Sequence, residues 1–174
     1  IIRQLLDYAR RRGPRPGRFD IRTLLRQAVA LLEPVAQRRQ VQLVLADLPV
    51  ARVVQFDGSQ MMQVMTNLVA NAVQATSAGG IVTVSLEEGE VTPPEESGLP
   101  TRRYVGVRMK NTGAGIKPEH LSQVFEPFFT TKDTGEGTGL GLSVAQGIVR
   151  DHEGWIAVES QLGQGSSFII HLPG

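Results

Sequence analysis

A strip of glycines at every second position from Gly135 to Gly141 constrains the fold of this chain more than any other feature. The strip cannot be a strand, because glycine has no side chain to pack and loses more backbone entropy on folding than any other residue. Directly after it, apolar residues recur at helical spacing from Leu142 to Val149. The sequence therefore predicts a loop that runs into the N-terminus of a helix.

The predicted junction between this loop and its helix is suited to binding an anion. The first N–H groups of a helix have no intrahelical partner and lie at the positive end of the helix dipole. Glycine also lets a phosphate group approach the main chain closely. We interpret the strip as a phosphate-binding loop. The alternative is a flexible loop that only caps the helix, and the strip alone does not separate the two.

Composition restricts the class of protein. With 174 residues, of which 41% are hydrophobic, the chain is expected to form one globular unit. A net charge of +1 argues against a large nucleic-acid interface, and the lack of cysteine excludes disulfides and zinc–thiolate sites. Because no apolar run approaches the roughly 18 residues of a membrane span, we expect a soluble, cytoplasmic fragment without membrane contact.

The N-terminal part of the chain predicts two helices. Residues Ile1 to Arg12 have an apolar face but no capping residue before them, so we interpret them as the end of a longer helix. The glycines and prolines from Gly13 to Gly17 end this segment. A second helix is predicted from about Ile21 to Arg39, which Pro34 bends or interrupts. Short strands are predicted over residues 41–45 and 53–56.

The helix predicted from Ser59 to Ala75 has an unusual polar face. This face carries amides and no charge, although asparagine is a poor helix former. Asn67 and Asn71 lie one turn apart, so both can point at one object, for example a magnesium ion that keeps most of its waters. The alternative is that they bond to neighbouring backbone. The amide positions are Gln60, Gln63, Asn67, Asn71 and Gln74.

The middle of the chain predicts two strands, a polar turn and an aromatic segment. Strands over residues 81–86 and 104–109 are expected to flank a long, mobile loop from Glu87 to Thr101. Residues 110–116 then form a tight turn where a ligand can touch side chain and backbone. We interpret the aromatic segment of residues 124–132 as an anchor, docked on the core, for the glycine loop, in preference to a base-stacking platform.

Five motifs follow one another along the chain. They are Asn67-Leu-Val-Ala-Asn71-Ala72, Asn111-Thr-Gly-Ala-Gly-Ile116, Phe125-Glu-Pro-Phe-Phe-Thr-Thr-Lys132, Gly137-Thr-Gly-Leu-Gly-Leu-Ser143 and Gly163-Gln-Gly-Ser-Ser-Phe168. In this order they resemble the N, G1, F, G2 and G3 boxes of the catalytic ATP-binding domain of sensor histidine kinases. The superfamily, known as GHKL, also contains Hsp90, DNA gyrase B and MutL. The third motif looks most like the nitrogen-regulator branch.

The resemblance covers residues 19–173 and implies a fold. That fold is a two-layer α/β sandwich, the Bergerat fold, with a mixed, mainly antiparallel sheet and helices on one face. ATP would lie between the helix of the first motif and a lid from about Glu126 to Gly139.

The resemblance also implies roles for individual residues. Asn71 corresponds to the magnesium ligand, and Asn67 to a polar or acidic residue that orients the attacking group or accepts its proton. Lys132 resembles a lid lysine that reaches the terminal phosphate, where its positive charge would stabilise the negative charge redistributed in the transition state. Ser166 and Ser167 correspond to a hydroxyl near the base. The implied nucleotide contacts are Asn71, Asn111, Gly113, Gly115, Thr131, Lys132, Gly137, Thr138, Gly139, Leu140, Gly141 and Ser167.

The chain departs from the family pattern in two ways. Its histidines, His120, His152 and His171, lie in no phosphoacceptor motif, so we expect structural roles for them and a phosphorylated histidine outside this sequence. Asn111 stands where the family has aspartate. Asparagine replaces one acceptor oxygen of the carboxylate by an NH₂ donor and removes the negative charge. We expect ATP binding to be weaker by about tenfold, and adenine to be selected less strongly.

The resemblance implies a protein-histidine kinase, which transfers the γ-phosphoryl group of MgATP to a histidine of the dimerisation domain of the same protein. A response-regulator receiver domain would be a further partner, and the parent a homodimer. Residues 1–17 would be the end of the dimerisation helix with a linker, and residues 18–174 the catalytic ATP-binding domain. Two alternatives stay open. One is another ATPase or a serine kinase of the superfamily; the other, favoured by Asn111, is a pseudokinase or an engineered inactive variant that acts as a binding module.

Overall fold

The computed structural model describes residues 13–46, 52–131 and 138–174 of the chain. The helix predicted over residues 1–12, and Lys132, Gly135 and Gly137 of the glycine-rich segment, lie outside the described residues. The described elements, in chain order, are β1 (Gly17–Asp20), α1 (Ile21–Arg38), β2 (Gln42–Leu45), β3 (Val53–Phe56), α2 (Gly58–Gln74), β4 (Ile81–Val91), a 3-10 turn (Glu95–Ser97), β5 (Arg102–Asn111), α3 (Pro118–Leu121), α4 (Gly141–Asp151), β6 (Trp155–Gln161) and β7 (Gly165–Pro173).

The described strands form one large sheet and one small one. The large sheet has the strand order β2-β4-β5-β7-β6, in which β2 is parallel to β4 and the other neighbours are antiparallel. Strands β1 and β3 form a separate antiparallel pair. The prediction of a mixed, mainly antiparallel sheet is therefore confirmed.

One face of the large sheet packs against the helices and forms the core. Side chains at alternate positions of a strand point to one face, and in β5 Val105, Val107 and Met109 are buried in this way. Helices α1, α2 and α4 contribute their apolar faces to the same cluster. The two-layer sandwich with helices on one face is thus confirmed.

The outer face of the sheet carries polar and aromatic side chains. Arg108 in β5 bridges Glu87 in β4 at 2.6 Å and Glu159 in β6 at 2.8 Å. Nearby, the ring of Trp155 stacks on His171 with centroids 4.4 Å apart. Burial against these neighbours lowers the pKa of His171. In the described part of the chain, the outer face is therefore held by ion pairs and ring contacts.

Helices α1 and α2 begin at aspartates that cap them. The Asp57 carboxylate accepts the N–H groups of Ser59 at 3.0 Å and Gln60 at 3.1 Å, as expected for an N-cap residue. It also accepts the backbone N–H of Arg15 at 2.9 Å. These hydrogen bonds, that of Arg15 first, lower the pKa of Asp57 to about 2. In the same way the guanidinium of Arg22 lowers the pKa of Asp20, the cap of α1, to about 2.

Two predictions of secondary structure need correction. Of the bend or interruption expected at Pro34, the structure excludes the interruption: helix α1 runs on through Pro34, which lies on the exposed side where water can satisfy the carbonyl that it leaves unpaired. The loop predicted from Glu87 begins only after Val91, because the backbone of β4 continues to pair with β5 as far as Arg102. Polar side chains on the outer face concealed this extension from the sequence pattern.

None of the helices within residues 13–46, 52–131 and 138–174 combines the length and the apolar character that a bilayer span requires.

Candidate functional site

Helix α2 and the start of α4 face each other, and the space beside Asn67, Asn71 and Gly141 is called the cleft. The Asn67 Nδ2 group donates a hydrogen bond of 3.3 Å to the backbone carbonyl of Gly141, the first residue of α4. A Cβ atom added to Gly141 would lie 3.8 Å from Asn71 Nδ2 and 3.9 Å from Asn67 Cγ. The structure therefore brings both asparagines to the helix that follows the glycine strip.

Among the described residues, no side chain caps the start of α4. The residue before it, Leu140, makes no side-chain capping bond, and the first turn contains no acidic residue. Two hydroxyls near the helix start make other hydrogen bonds: Thr138 Oγ1 accepts the N–H of Leu140 at 3.4 Å, and Ser143 Oγ donates back to the Leu140 carbonyl at 3.0 Å. Without a cap, the N–H groups and the positive dipole end favour a bound anion.

Asn67 and Asn71 differ in their hydrogen bonding. Asn67 is engaged by Gly141 of the opposite helix, which excludes the interpretation that it only bonds to its own helix backbone. Among the described residues, the structure gives the Asn71 amide no hydrogen-bond partner. Asn71 is therefore the amide that is available to a ligand in the cleft.

A metal in this cleft would not have a carboxylate cage. No group of three or more His, Cys, Asp or Glu side chains in the described part of the chain is arranged to hold a metal ion. Magnesium, however, usually keeps several waters and takes one or two protein oxygens with the oxygens of a bound phosphate. The amide oxygen of Asn71 fits that kind of coordination.

The ends of the segment between Phe128 and Gly139 lie against each other. Phe128 donates its N–H to the Gly139 carbonyl at 3.0 Å. Gly139 has φ +65°, and a Cβ there would come within 2.4 Å of the Phe128 carbonyl carbon. Only glycine fits this approach. Thr131 is exposed near the end of the described part of this segment.

The aromatic segment is only partly docked. Phe125 packs against the core, with its ring 6.4 Å from that of Phe168 and nearly perpendicular to it. Phe129 contacts the ring of His120 on α3 at 5.4 Å. Phe128, in contrast, is 62% exposed. The anchor that we expected is therefore formed by Phe125 and Phe129.

The second polar cluster lies at the end of β5, where Asn111 is only 1% exposed. Asn111 Oδ1 accepts the backbone N–H of Gly113 at 2.9 Å and that of Ser166 at 3.4 Å. Asn111 Nδ2 donates to Ser166 Oγ at 2.8 Å. The side chain thus joins β5, the following turn and the start of β7.

The turn after Asn111 requires its glycines. A Cβ at Gly113 would lie 2.0 Å from the carbonyl oxygen of Ala75, the residue that ends α2. Gly115 has φ +74°, and its Cβ would lie 2.3 Å from the Gln161 carbonyl oxygen. Because a helix rises 1.5 Å per residue, the turn beside Ala75 lies about 6 Å along the α2 axis from Asn71. Both polar clusters therefore lie along the same helix.

Ser166 and Ser167 point to opposite faces of the sheet. Ser167 Oγ accepts a hydrogen bond of 3.0 Å from Arg108 on the outer face, whereas Ser166 contacts Asn111. This follows from the alternation of side chains along β7. The structure therefore brings Ser166, and not Ser167, to the Asn111 cluster. The sequence suggests both hydroxyls but cannot separate them without the pairing of β7 with β5.

The three histidines have structural contacts. His152 Nε2 accepts the N–H of Asp57 at 2.9 Å, and its Nδ1 group bonds to the Ile148 carbonyl at 2.7 Å. This histidine ties the end of α4 to the beginning of α2, a contact that the sequence did not predict. His120 and His171 make the ring contacts with Phe129 and Trp155 described above.

Comparison with known proteins agrees with this geometry. The family model for histidine kinase-, DNA gyrase B-, and HSP90-like ATPases matches residues 56–174. Sensor kinase CckA of Brucella abortus (strain 2308) is 35% identical over 176 residues, which cover 99% of this chain and 18% of CckA. The chain spans between 18 and 35% of the length of the curated relatives that we compared.

Solved structures of histidine kinases superpose on the chain. Full-length ShkA in complex with AMPPNP has a TM-score of 0.79 at 26% identity, over 99% of this chain and 35% of ShkA. The nucleotide-free catalytic domain of histidine kinase ThkA has a TM-score of 0.74 at 30% identity, over 91% of this chain and 97% of that domain.

Proposed function

The chain belongs to the family of histidine kinase-, DNA gyrase B- and HSP90-like ATPases, and from this premise we propose that it is the catalytic domain of a sensor histidine kinase. It binds MgATP in the cleft between α2 and the start of α4, and supplies the γ-phosphoryl group to a histidine outside this sequence. The observation that carries the proposal is the approach of the Asn67 and Asn71 amides to the uncapped start of α4. The AMPPNP bound to ShkA supports it.

The phosphates of ATP fit the first turn of α4. Phosphate groups accept hydrogen bonds from free backbone N–H groups and are stabilised by the positive dipole end. Gly141 offers no side chain that would keep them away, and Gly139 and Leu140 precede it directly. We assign phosphate contacts to Gly137, Thr138, Gly139, Leu140 and Gly141.

Asn71 is the proposed magnesium ligand. Its amide is available, and it lies beside Gly141, where the phosphates would approach. The Asn71 amide oxygen would hold the ion, whose positive charge would offset the negative charge that shifts during transfer.

Asn67 and Lys132 are the residues that we connect with the transfer step. An amide has no basic lone pair at neutral pH, so Asn67 can orient the attacking imidazole or a water but cannot take up its proton. Its bond to Gly141 holds α4 in register with α2. Lys132, with Thr131 before it, would bring positive charge to the terminal phosphate.

The Asn111 cluster is the proposed base site. A ring beside Ala75 and Gly113 would lie along the same helix as the phosphate site, so that one elongated ligand reaches both clusters. Gly113 and Gly115 shape the turn of this site, because each lies against a backbone carbonyl, that of Ala75 or Gln161, where a Cβ would clash. Ser166 rather than Ser167 supplies the hydroxyl, because only Ser166 contacts Asn111.

The proposal extends to the whole protein. Residues 1–17 would be the end of a dimerisation helix and its linker, and residues 18–174 the catalytic domain. The parent would be a homodimer whose own dimerisation domain carries the phosphorylated histidine, with a response-regulator receiver domain as the next acceptor. We place this domain in the cytoplasm, where ATP is available. The nitrogen-regulator branch stays a prediction, because the matches to CckA and ThkA do not distinguish it.

No described contact favours the alternatives over this function. The chain's similarity is to sensor kinases, which gives no support to a serine kinase or to an inactive binding module. Asn111 remains the one sequence feature that points away from tight ATP binding.

Calorimetric titration with ATP, with magnesium and with EDTA, tests the binding proposal. We expect wild-type affinity to depend on magnesium, and Asn71→Ala to lower the magnesium-dependent affinity by about tenfold or more, the usual cost of disturbing a metal site. Gln63→Ala, which removes an amide two turns earlier on the same helix, is the matched control and should bind like the wild type. Equal affinities for the wild type and Asn71→Ala would contradict the assignment of the metal ligand.

Transfer is tested by mixing the chain with the dimerisation domain of its parent protein and γ-labelled ATP. Label on the histidine of that domain supports the kinase assignment. Binding of ATP without any transfer, when both domains are folded, would favour the binding-module alternative instead.

A further inference from the structure

We propose that the base end of this cleft accepts a purine with a carbonyl group at C6 at least as well as it accepts adenine. The inference rests on the proposed nucleotide-binding function and adds the class of base to it. It follows from the orientation in which the amide of Asn111 is held.

The orientation of the Asn111 amide is determined by its backbone neighbours. Two backbone N–H groups, those of Gly113 at 2.9 Å and Ser166 at 3.4 Å, point at one atom of the side chain. A backbone N–H can only donate, so the atom that it faces must be the oxygen. A flipped amide would turn its NH₂ group towards these two backbone N–H groups. Because Asn111 is 1% exposed, this unfavourable contact between donors would be buried.

Ser166 fixes the other half of the amide. Asn111 Nδ2 donates one hydrogen to Ser166 Oγ at 2.8 Å. An amide nitrogen carries two hydrogens, and within the described residues the structure gives the second no acceptor. Both lone pairs of Oδ1 are already engaged by backbone N–H groups. The group that Asn111 can still offer to a ligand is therefore an N–H donor.

A donor at this position distinguishes purines by the substituent at C6. Adenine carries an amino group there, whose hydrogens would face the N–H of Asn111. Guanine and hypoxanthine carry a carbonyl oxygen, which can accept that hydrogen and satisfy an otherwise unpaired buried donor. A direct hydrogen bond is thus available to a 6-oxo purine and not to adenine.

The hydroxyl of Ser166 can either accept or donate a hydrogen bond, so one substitution at residue 111 can change the site from a donor to an acceptor. With Asn111 the hydroxyl accepts a hydrogen from Nδ2. With aspartate in its place the hydroxyl would donate to one carboxylate oxygen, which leaves an acceptor lone pair for an amino group. The polarity of the site is therefore set by residue 111, while Ser166 is a positioning residue that follows it.

The test is the ratio of the dissociation constants for ATP and inosine triphosphate, measured by calorimetry in magnesium. The two nucleotides differ in the C6 substituent and in protonation at N1, and inosine triphosphate lacks the 2-amino group of GTP. We expect the wild type to bind inosine triphosphate at least as tightly as ATP. Asn111→Asp should shift the ratio towards ATP by about tenfold or more, since a carboxylate makes a charge-assisted bond to the amino group.

Two serine variants test the positioning role. Ser166→Ala removes the hydroxyl that accepts one hydrogen of the Asn111 amide, so that only the two backbone N–H groups still hold it. This variant should weaken the binding of inosine triphosphate several-fold, with less effect on ATP, whereas Ser166→Thr keeps the hydroxyl and should restore the ratio. Ser167→Ala, on the opposite face of the same strand, is the matched control and should leave it unchanged.

The possible failures are distinguishable. A wild-type chain that binds ATP measurably tighter than inosine triphosphate overturns the inference about the base, while the proposed nucleotide site stands. A folded wild-type chain that binds neither nucleotide overturns both. The wild-type ratio requires no substitution, so the test does not depend on any variant folding.

Discussion

Replacing Gly141 with alanine separates ligand binding from folding in this chain. The nearest atoms to the added Cβ would be Asn71 Nδ2 at 3.8 Å and Asn67 Cγ at 3.9 Å, which is ordinary van der Waals contact. Gly141 is the first residue of α4, and alanine is the better helix former. We therefore expect the free energy of unfolding to stay the same or to rise by up to about 1 kcal/mol.

The same methyl group would occupy the space in which we place the phosphates and their metal. Adding a methyl group to filled space typically costs about 1 to 3 kcal/mol. For a ligand held between Gly141 and the two amides, this corresponds to a dissociation constant for MgATP raised by about 5- to 150-fold. Asn71 and Asn67 belong to the packed helix α2 and cannot move away freely.

Calorimetry with MgATP and urea unfolding, both on the same preparation, measure the two effects. Gly89→Ala is the control, because a Cβ at Gly89 meets nothing within 4 Å and the residue lies in β4, outside the cleft. A folded Gly141→Ala variant with an unchanged dissociation constant would refute the placement of the triphosphate at this helix start.

Three further predictions concern the framework of the site. Asp57→Ala should lower the free energy of unfolding by about 1 kcal/mol at pH 7. Because its pKa is lowered from 3.8 to about 2, the cap contributes above pH 3.8 and is lost as the pH falls through 2, so the variant and wild type should converge in acid urea titrations. Gly113→Ala should destabilise the fold by about 1 to 3 kcal/mol in urea unfolding, because its Cβ would clash with the Ala75 carbonyl. Arg108→Ala should leave the MgATP dissociation constant unchanged in calorimetry, because its ion pairs lie on the outer face; a marked loss of affinity would contradict that.

The parts of the site that the sequence predicted depend on local periodicity. Asn67 and Asn71 lie on one face of their helix however that helix packs in the fold. The helix after the glycine strip is likewise predicted without knowledge of its packing. That these two segments face each other followed from the resemblance, and the contact of Asn67 with Gly141 agrees with it.

The parts that the sequence did not predict depend on strand pairing. Which of Ser166 and Ser167 faces Asn111 is set by the register of β7 on β5, and a shift of one residue would exchange them. The extension of β4 to Val91 follows from its pairing with β5 over distant residues. The hydrogen bond of His152 to Asp57 joins residues far apart in the chain, and no local pattern indicates it.

A crystal structure of the chain with AMPPNP and manganese, with the metal located by anomalous scattering, tests most directly whether α2 and α4 hold one metal–triphosphate group. We predict the metal at the side-chain oxygen of Asn71, at the short distance typical of hard cations and oxygen, about 2.0 to 2.2 Å. We also predict phosphate oxygens at the N–H groups that begin α4. A nucleotide bound elsewhere, or a metal that makes no contact with Asn71, would contradict the proposed function.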